Sequence, residues 1–226
     1  MKGQSGSAVL TVIATLTDDN FSTAVDLWFS DESTANSTYG HIRDWDVSAV
    51  TDMSRAFFNR SSFNEDLSSW NVSSVTNMVE MFYGAASFNG DIGSWDVSSV
   101  TSVKWMFYHA YSFNGNISSW NVSSLVNMQD MFQQARAFNQ DIGSWIVSSV
   151  TNMASMFDGA ESFNGGIGSW DVSSVTNMRF MFRDAKSFNQ DLSGWCVTNI
   201  EAEPEGFDDR TDSWVLNRPV WGTCPN

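Results

Sequence analysis

A 25-residue period runs through most of the chain and constrains its fold more than any other feature. Tryptophans recur at this constant spacing, and a valine follows each of them two residues later. Self-similarity at a fixed period of this length is typical of repeat architectures, in which each unit packs only against its neighbours. The tryptophans are Trp45, Trp70, Trp95, Trp120, Trp145, Trp170 and Trp195.

The pattern inside one unit predicts a short strand followed by a short helix or helical turn. A Trp-x-Val pair places two side chains on one face, as in a strand. The next apolar residues have helical spacing, as in Val75, Met78, Phe82 and Ala85. Because successive parallel strands need a crossover connection, we expect an α/β repeat solenoid, a right-handed coil with short parallel strands and short helices.

The period decays at both ends, which divides the chain into three parts. Residues 1–43 are expected to form an N-terminal strand at Ala8 to Leu16 and a capping helix. Residues 44–195 are expected to form a solenoid of six repeats, and residues 196–226 a C-terminal cap. Both cysteines, Cys196 and Cys224, lie in this cap, so we expect a disulfide worth about 3 kcal/mol. Two reduced thiols are the alternative.

The unit from Trp70 to Ser94, nearly complete again from Trp170 to Ser193, resembles the repeats of the BspA-like leucine-rich-repeat surface-protein family. The shared pattern begins Trp-[Asp/Asn]-Val-Ser-Ser-Val-Thr-Asn-Met and continues with Met-Phe, Ala and Ser-Phe-Asn. The resemblance implies a leucine-rich-repeat-like coil in a secreted or cell-surface protein. Such proteins are often implicated in adhesion, and the resemblance supplies no catalytic residues.

Charge and composition weigh against several kinds of partner. The 26 acidic and 11 basic residues give a net charge of -15, which repels nucleic acid and anionic membrane surfaces. No apolar run reaches the roughly 20 residues that a membrane-spanning helix needs, so membrane insertion is not expected. His41 and His109 lie in different units and lack a partner cysteine or a phosphate-binding loop, so we expect no enzyme.

If the repeats stack roughly 4.8 Å apart, the residues at each repeat position form a row along the protein. Two of the resulting surfaces are candidate binding faces. A varied helical face includes the aromatic residues Tyr83, Trp105, Tyr108 and Phe180. The strand face is favoured, because its regular hydroxyl, carboxylate and carboxamide groups suit a glycan or another repeating polymer. Simple solubility and packing between turns are the alternatives. The strand-face candidates are Asp46, Asn71, Asp96, Asn121, Asp171, Ser73, Ser98 and Ser123.

Two further rows carry side-chain oxygens. A loop row that includes Asp66, Asp91 and Asp141 could gather Ca²⁺, a cation that prefers oxygen ligands. No Asp-x-Asp-x-Asp-Gly loop accompanies it, so no metal or cofactor is expected and Ca²⁺ remains a minor alternative. The other row follows a phenylalanine in every unit and is expected to form an internal structural ladder. It consists of Asn64, Asn89, Asn114, Asn139, Asn164 and Asn189.

These observations favour a non-enzymatic extracellular or cell-surface recognition module that binds a glycan or a surface protein. A purely structural or self-assembling unit is the alternative. Binding to ice or a mineral surface ranks lower, because aspartates interrupt the serines and the strand face lacks an unbroken threonine row. Asn-x-Ser/Thr sequons, for example at Asn71 and Asn121, make the chain a candidate glycoprotein.

Overall fold

The computed structural model describes residues 14–225, so most of the predicted strand at Ala8 to Leu16 lies outside the described residues. Helix α1 spans Phe21–Ser30, helix α2 spans Glu32–Tyr39, and a 3-10 helix spans Ile42–Asp44. All three precede the repeats. No helix within residues 14–225 has the length and the apolar character that crossing a membrane requires.

Helix α1 covers the first coil of the repeats with one apolar face. Its buried residues Phe21, Ala24, Val25 and Trp28 have the spacing of a single helical stripe. The ring of Phe21 meets the ring of Trp70 edge to face, with centroids 5.9 Å apart. The aromatic core of the repeats is thereby shielded from water at this end.

Three aromatic columns fill the centre of the repeats, one of tryptophans and two of phenylalanines. Tryptophan rings stack between neighbouring coils, with centroids 6.4 Å apart for Trp70 and Trp95. Phenylalanine rings stack beside them, 5.9 Å apart for Phe88 and Phe113. From Trp70 onwards, each indole N–H of this column also donates to a carbonyl of the preceding coil, as Trp95 does to Leu67 at 3.0 Å. One side chain thus supplies burial, ring stacking and a satisfied buried donor.

Parallel β-bridges join neighbouring coils, and they lie in a different segment from the predicted strand. After Trp70 and Val72 the chain turns at once, because the N–H of Val75 donates to the carbonyl of Val72 at 2.9 Å. The Trp-x-Val segment is therefore too short to pair as a strand. One bridge joins Thr17 to Ala49, and the bridges between coils link Asp52, Asn77, Ser102, Asn127, Asn152 and Asn177 in that order.

The segment with helical spacing forms consecutive turns in the described coils. The N–H groups of Ala56 and Phe58 donate three residues back, at 3.3 and 3.0 Å. The N–H groups of Arg55 and Phe57 donate instead to carbonyls of the next coil, at 3.0 and 2.8 Å. An α-helix requires every N–H to bond four residues back, so this alternation replaces the expected helix.

The C-terminal segment covers the last coil. Trp214 packs edge-on against Phe188 at 4.8 Å, and its indole N–H donates to the carbonyl of Gln190 at 2.9 Å. Cys196 and Cys224 form the expected disulfide. The right-handed, leucine-rich-repeat-like coil and the three-part division of the chain stay predictions.

Candidate functional site

The residues assigned to the strand face form an exposed row in which each Asp or Asn caps its own turn. The Oδ1 of Asp96 accepts the N–H of Ser98 at 3.0 Å. Asn121 accepts both the N–H and the hydroxyl of Ser123, at 3.2 and 2.7 Å. Hydrogen bonds from the serine hydroxyl, followed by those from the serine N–H, lower the pKa of the aspartates. These oxygens are therefore engaged locally. The Asx row consists of Asp46, Asn71, Asp96, Asn121, Ile146 and Asp171.

The acidic loop row is built in the same way. Asp66 accepts the N–H of Ser68 at 2.9 Å, and Asp141 accepts the N–H of Gly143 at 3.0 Å. Nowhere in residues 14–225 do three Asp, Glu, His or Cys side chains come together as metal ligands. The absence of a metal or cofactor stays a prediction, and Ca²⁺ binding by this row stays its minor alternative.

The asparagines that follow the phenylalanines form a hydrogen-bonded ladder between coils. The Oδ1 of Asn89 accepts the backbone N–H of Asn114 at 2.8 Å, and Asn114 accepts that of Asn139 at 2.9 Å. Five of the six asparagines are exposed, so the ladder lies at the surface rather than inside. Its oxygens bind backbone donors of the next coil.

A row of exposed threonines lies beside the parallel bridges. The N–H of Thr76 donates to the carbonyl of Thr51 at 2.9 Å, and that of Thr101 to Thr76 at 3.0 Å. The row therefore advances by the same contact at each coil. Val126 stands in the place of a threonine and is 46% exposed. The threonine row consists of Thr51, Thr76, Thr101, Val126, Thr151 and Thr176.

Two positions of the consecutive turns form another surface, here called the turn face. The first position has left-handed backbone in all six coils, with φ between 52° and 61°, although none of its residues is glycine. This conformation costs a residue other than glycine roughly 1–2 kcal/mol. The first position holds Arg55, Glu80, Trp105, Asp130, Ser155 and Phe180, and the second holds Phe58, Tyr83, Tyr108, Gln133, Asp158 and Arg183.

An open cavity of about 370 Å³ indents the turn face around the second and third coils. Tyr83, Trp105 and Tyr108, three of the four predicted helical-face residues, line it together. Aromatic walls with a few polar groups are typical of small-molecule sites. The lining is completed by Phe58, Glu80 and Gln133.

A larger cavity of about 590 Å³ lies beside α1. Its carboxylates are already engaged, because Asp18 binds the N–H and hydroxyl of Thr51 and Asp26 pairs with Arg60 at 2.8 Å. This groove is a less suitable site than the cavity on the turn face, because its polar groups are committed to holding the cap.

The ring faces of the tyrosines in the turn-face cavity are occupied by one another. Tyr83 stacks on Phe58 with centroids 4.7 Å apart, and Tyr108 stacks on Tyr83 at 4.5 Å. The ring of the adjacent residue His109 stacks on Tyr108, with centroids 4.2 Å apart. A sugar ring therefore has no open tyrosine face to stack on, and these residues can offer a ligand only their edges and hydroxyls. Burial is the main cause that raises the pKa of Tyr108.

Trp105 is held from two sides. The ammonium group of Lys104 lies 3.8 Å from the centre of its ring. Asp130, only 6% exposed, lies next to it in the following coil. Burial raises the pKa of Asp130, while hydrogen-bonding groups of Gln129, Trp105 and Ser155 lower it in part. The tryptophan is thus fixed in place rather than loosely exposed.

A buried ion pair continues the second position of the turn face beyond the cavity. Asp158 is 1% exposed and accepts from Arg183 at 2.5 Å and from Gln133 at 2.7 Å. The sequence analysis did not predict that Asp130 and Asp158 are buried. The available signal was the appearance of acids at turn positions that hold aromatic residues in other coils.

The fourth predicted helical-face residue, Phe180, lies apart from the cavity. Its ring contacts the guanidinium groups of Arg183 at 4.6 Å and Arg179 at 5.6 Å. It has the same position and backbone conformation as Trp105, with φ of 57° against 59°. Phe180 is therefore a natural reference residue for Trp105.

These features define a repeat protein with constant buried columns and a turn face that varies from coil to coil. Residues 23–145 and 115–214 match the family described as "Mycoplasma protein of unknown function, DUF285", and the chain belongs to this family. The narrower resemblance to BspA-like leucine-rich-repeat surface proteins stays a proposal. No curated protein and no solved structure matches the chain.

Proposed function

We propose that the protein is a non-enzymatic recognition module, secreted or displayed at the cell surface, whose turn face contacts a glycan or a surface protein. The row of non-glycine residues with left-handed backbone carries this proposal. Glycine adopts this conformation without steric penalty. The protein instead has Arg55, Glu80 and Trp105 at these positions, and their left-handed backbone lowers its stability. Strain of this kind is concentrated at functional sites.

The turn face suits recognition better than the Asx row does. Asp96 and Asn121 already hold the N–H groups of Ser98 and Ser123, so their removal damages the turn before it affects a ligand. The turn face instead presents different side chains in each coil on a backbone that is hydrogen-bonded to its neighbours. A rigid surface loses little conformational entropy when it binds.

Two observations support a location outside the cytoplasm. Disulfides persist in oxidising compartments, and Cys196 is bonded to Cys224. The resemblance of the repeat to surface-protein repeats points in the same direction.

The test compares two double variants of the full chain. Glu80→Gly with Trp105→Gly removes two turn-face side chains and relieves their backbone strain. Asp96→Asn with Asp171→Asn removes charge from the Asx row but keeps an oxygen that can accept the serine N–H. Labelled proteins are applied to a printed glycan array and to immobilised extracellular-matrix proteins.

We expect the turn-face variant to lose capture while it unfolds at an equal or higher urea concentration than the wild type. The Asx-row variant should bind as the wild type does. Capture that survives in the turn-face variant would contradict the proposal, and cleavage of a bound glycan would reject its non-enzymatic part.

Ice binding is a second candidate function, favoured by the threonine row. The bridged face carries threonine in five of six coils, and these residues are exposed. Four of these hydroxyls donate to a backbone carbonyl of the preceding coil, at 3.2 to 3.4 Å. This hydrogen bond further restrains a β-branched side chain that already has few rotamers. A regular, uncharged array of methyl and hydroxyl groups suits ordered water better than it suits an irregular ligand.

Thermal hysteresis in nanolitre droplets tests this second function. Val126→Thr completes the row and should widen the gap between melting and freezing, whereas Thr101→Tyr interrupts its centre and should abolish most of the gap. Ser87→Tyr changes an exposed residue outside the row and should have no effect. A wild-type chain that produces no gap would dismiss ice binding.

A further inference from the structure

The cavity on the turn face has the size and the wall chemistry of a site for a small, partly polar ligand. Its volume of about 370 Å³ lies within the range of about 300 to 1,000 Å³ that is usual for such sites. The tyrosine wall presents edges and hydroxyls, because its ring faces are stacked on one another. A ligand along this wall must therefore exchange hydrogen bonds with phenolic hydroxyls.

The other polar groups of the lining widen this hydrogen-bonding capacity. The carboxylate of Glu80 accepts, and the amide of Gln133 both donates and accepts. Together with Tyr83 and Tyr108 they surround one aromatic side chain, Trp105. A ligand that fits this lining needs hydroxyl groups for the polar side chains and C–H groups for the aromatic ring. A sugar ring carries both.

The charges near the cavity are already balanced. Arg55 pairs with Glu80 at 3.3 Å, and the positive charge of Lys104 acts on the buried Asp130. Both cations thus have an acidic side chain nearby, and the net charge of -15 repels an anionic ligand at a distance. The ligand that fits best is uncharged.

Trp105 is pre-organised for contact. Its backbone is left-handed with φ of 59°, Lys104 packs on its ring, and the carboxyl of Asp130 is buried beside it. Burying a carboxylate is unfavourable unless hydrogen bonds or an opposite charge compensate it, and Trp105 is one of the hydrogen-bonding groups around Asp130. An aromatic residue fixed before binding loses little entropy in the complex.

We propose that this cavity binds a neutral saccharide, with a sugar ring against Trp105 and its hydroxyls bonded to Tyr83, Tyr108 and Gln133. Asp130 acts as a positioning residue that holds the tryptophan. The inference rests on the proposed function, because it names the ligand class of the turn face.

Saturation-transfer-difference NMR on the full chain tests the inference. The probes are neutral oligosaccharides of glucose, galactose, mannose and N-acetylglucosamine, with uronic-acid and sialic-acid oligosaccharides as the charged arm. Trp105→Ala should weaken binding of the neutral probe by about tenfold or more, as the loss of a central aromatic contact does. Phe180→Ala should leave binding unchanged, because Phe180 has the same repeat position but lies outside the cavity.

A second pair of variants tests the role of Asp130. Asp130→Asn keeps a side-chain oxygen beside the indole and should bind the neutral probe as the wild type does, whereas Asp130→Ala should weaken it. A purely structural role would instead change the urea midpoint of Asp130→Ala without changing its affinity, and that result would reject the positioning role.

The outcomes separate this inference from the broader proposal. Binding of charged probes alone, or equal losses in Trp105→Ala and Phe180→Ala, would overturn the neutral-saccharide site. If the chain binds no saccharide but captures a protein through the turn face, the inference fails and the proposed function stands. If the turn-face double variant captures every target as well as the wild type does, both fail.

Discussion

The buried columns and the turn face are built from the same 25-residue unit, but they tolerate variation in opposite ways. Each coil repeats the same Trp and Phe in the columns, where rings stack from one coil to the next. On the turn face each coil carries a different side chain at a fixed backbone conformation. The comparison suggests that the columns set stability, whereas the turn face is available for recognition.

The largest expected effect belongs to the columns. Phe107→Ala removes a ring that is fully buried and lies 3.9 Å from Phe113, with Phe82 and Phe132 stacked on its two sides. We expect a loss of about 3–5 kcal/mol in the free energy of unfolding, the usual result of emptying such a site. Urea unfolding measures it. The neighbouring turn-face variant Tyr108→Ala should cost clearly less, and equal losses would break the comparison.

The next effect concerns the C-terminal end of the columns. Replacing Cys196 and Cys224 by serine opens a loop with a sequence separation of 28 residues. We expect a loss of about 3 kcal/mol, because the unfolded chain regains its freedom. Thermal unfolding followed by circular dichroism checks this loss. Wild-type protein in reducing buffer should match the variant, and a variant as stable as the oxidised wild type would show that the cap needs no bridge.

One pair on the turn face should behave like the core. Asp158→Ala leaves Arg183 and Gln133 without their shared acceptor. Removing one partner of a fully buried pair costs several kcal/mol, and because the Arg183 side chain is 32% exposed we expect about 2 kcal/mol. Urea unfolding of this variant beside Asp184→Ala, whose pair with Arg210 is more exposed, provides the control. A negligible loss in the free energy of unfolding would show that Asp158 does not contribute to stability as a core residue does.

A smaller effect is expected from the asparagine ladder. Asn114→Ala deprives the N–H of Asn139 of its acceptor at 2.9 Å, and the site is exposed enough for water to replace it. We expect a loss of about 1 kcal/mol. Asn114→Asp keeps an oxygen and should retain most of the stability. Equal urea midpoints for wild type and Asn114→Ala would show that the ladder is not needed for stability.

The smallest effect comes from the Asx row and depends on pH. Serine hydroxyls hold the pKa of Asp46, Asp96 and Asp171 below the ordinary value of 3.8. As the pH falls, these carboxylates therefore take up protons in the unfolded chain before they do so in the folded protein. Their contribution to the free energy of unfolding is complete above pH 3.8, and it is lost as the pH falls through their lower pKa values in the folded protein. Because these groups are exposed, each contributes less than about 1 kcal/mol.

Urea midpoints measured across this acidic range test the last expectation, with Asp96→Asn as the control. The variant should lose less stability on acidification than the wild type. Asp130 contributes with the opposite sign, because burial raises its pKa. A wild type whose stability rises as the pH falls towards 3.8, and does not fall again below it, would show that Asp130 outweighs the Asx row.

The sequence pattern was sufficient for the period and the disulfide, but not for the local backbone. The spacing of Val75, Met78, Phe82 and Ala85 fits a helix, yet consecutive turns place the same residues inside. Which structure forms is decided by hydrogen bonds to the next coil, and these depend on stacking rather than on local sequence. The left-handed backbone at residues such as Trp105 could not be predicted from the sequence, because this conformation is usually indicated by glycine.

The candidate site was predictable in its members but not in its geometry. Tyr83, Trp105 and Tyr108 could be selected as aromatic residues on one face. That the tyrosines occupy each other's faces, and that Asp130 lies buried beside Trp105, depends on side-chain packing between coils. The strand face stays a prediction as a binding face, but the Asx turns that its residues form, such as that of Asp96 with Ser98, were not predicted from the spacing.

The asparagine ladder has a consequence for how the molecule can change in length. Every asparagine accepts from the coil that follows, and the last one, Asn189, accepts from Val215 and Leu216 in the cap at 2.9 and 3.1 Å. A whole unit inserted between Ser169 and Trp170 would find the same partners on both sides, whereas an insertion one residue shorter would break the 25-residue spacing at one junction of the ladder. The protein can therefore act as a modular spacer that lengthens in whole steps and carries an unchanged cavity farther from its C-terminal end.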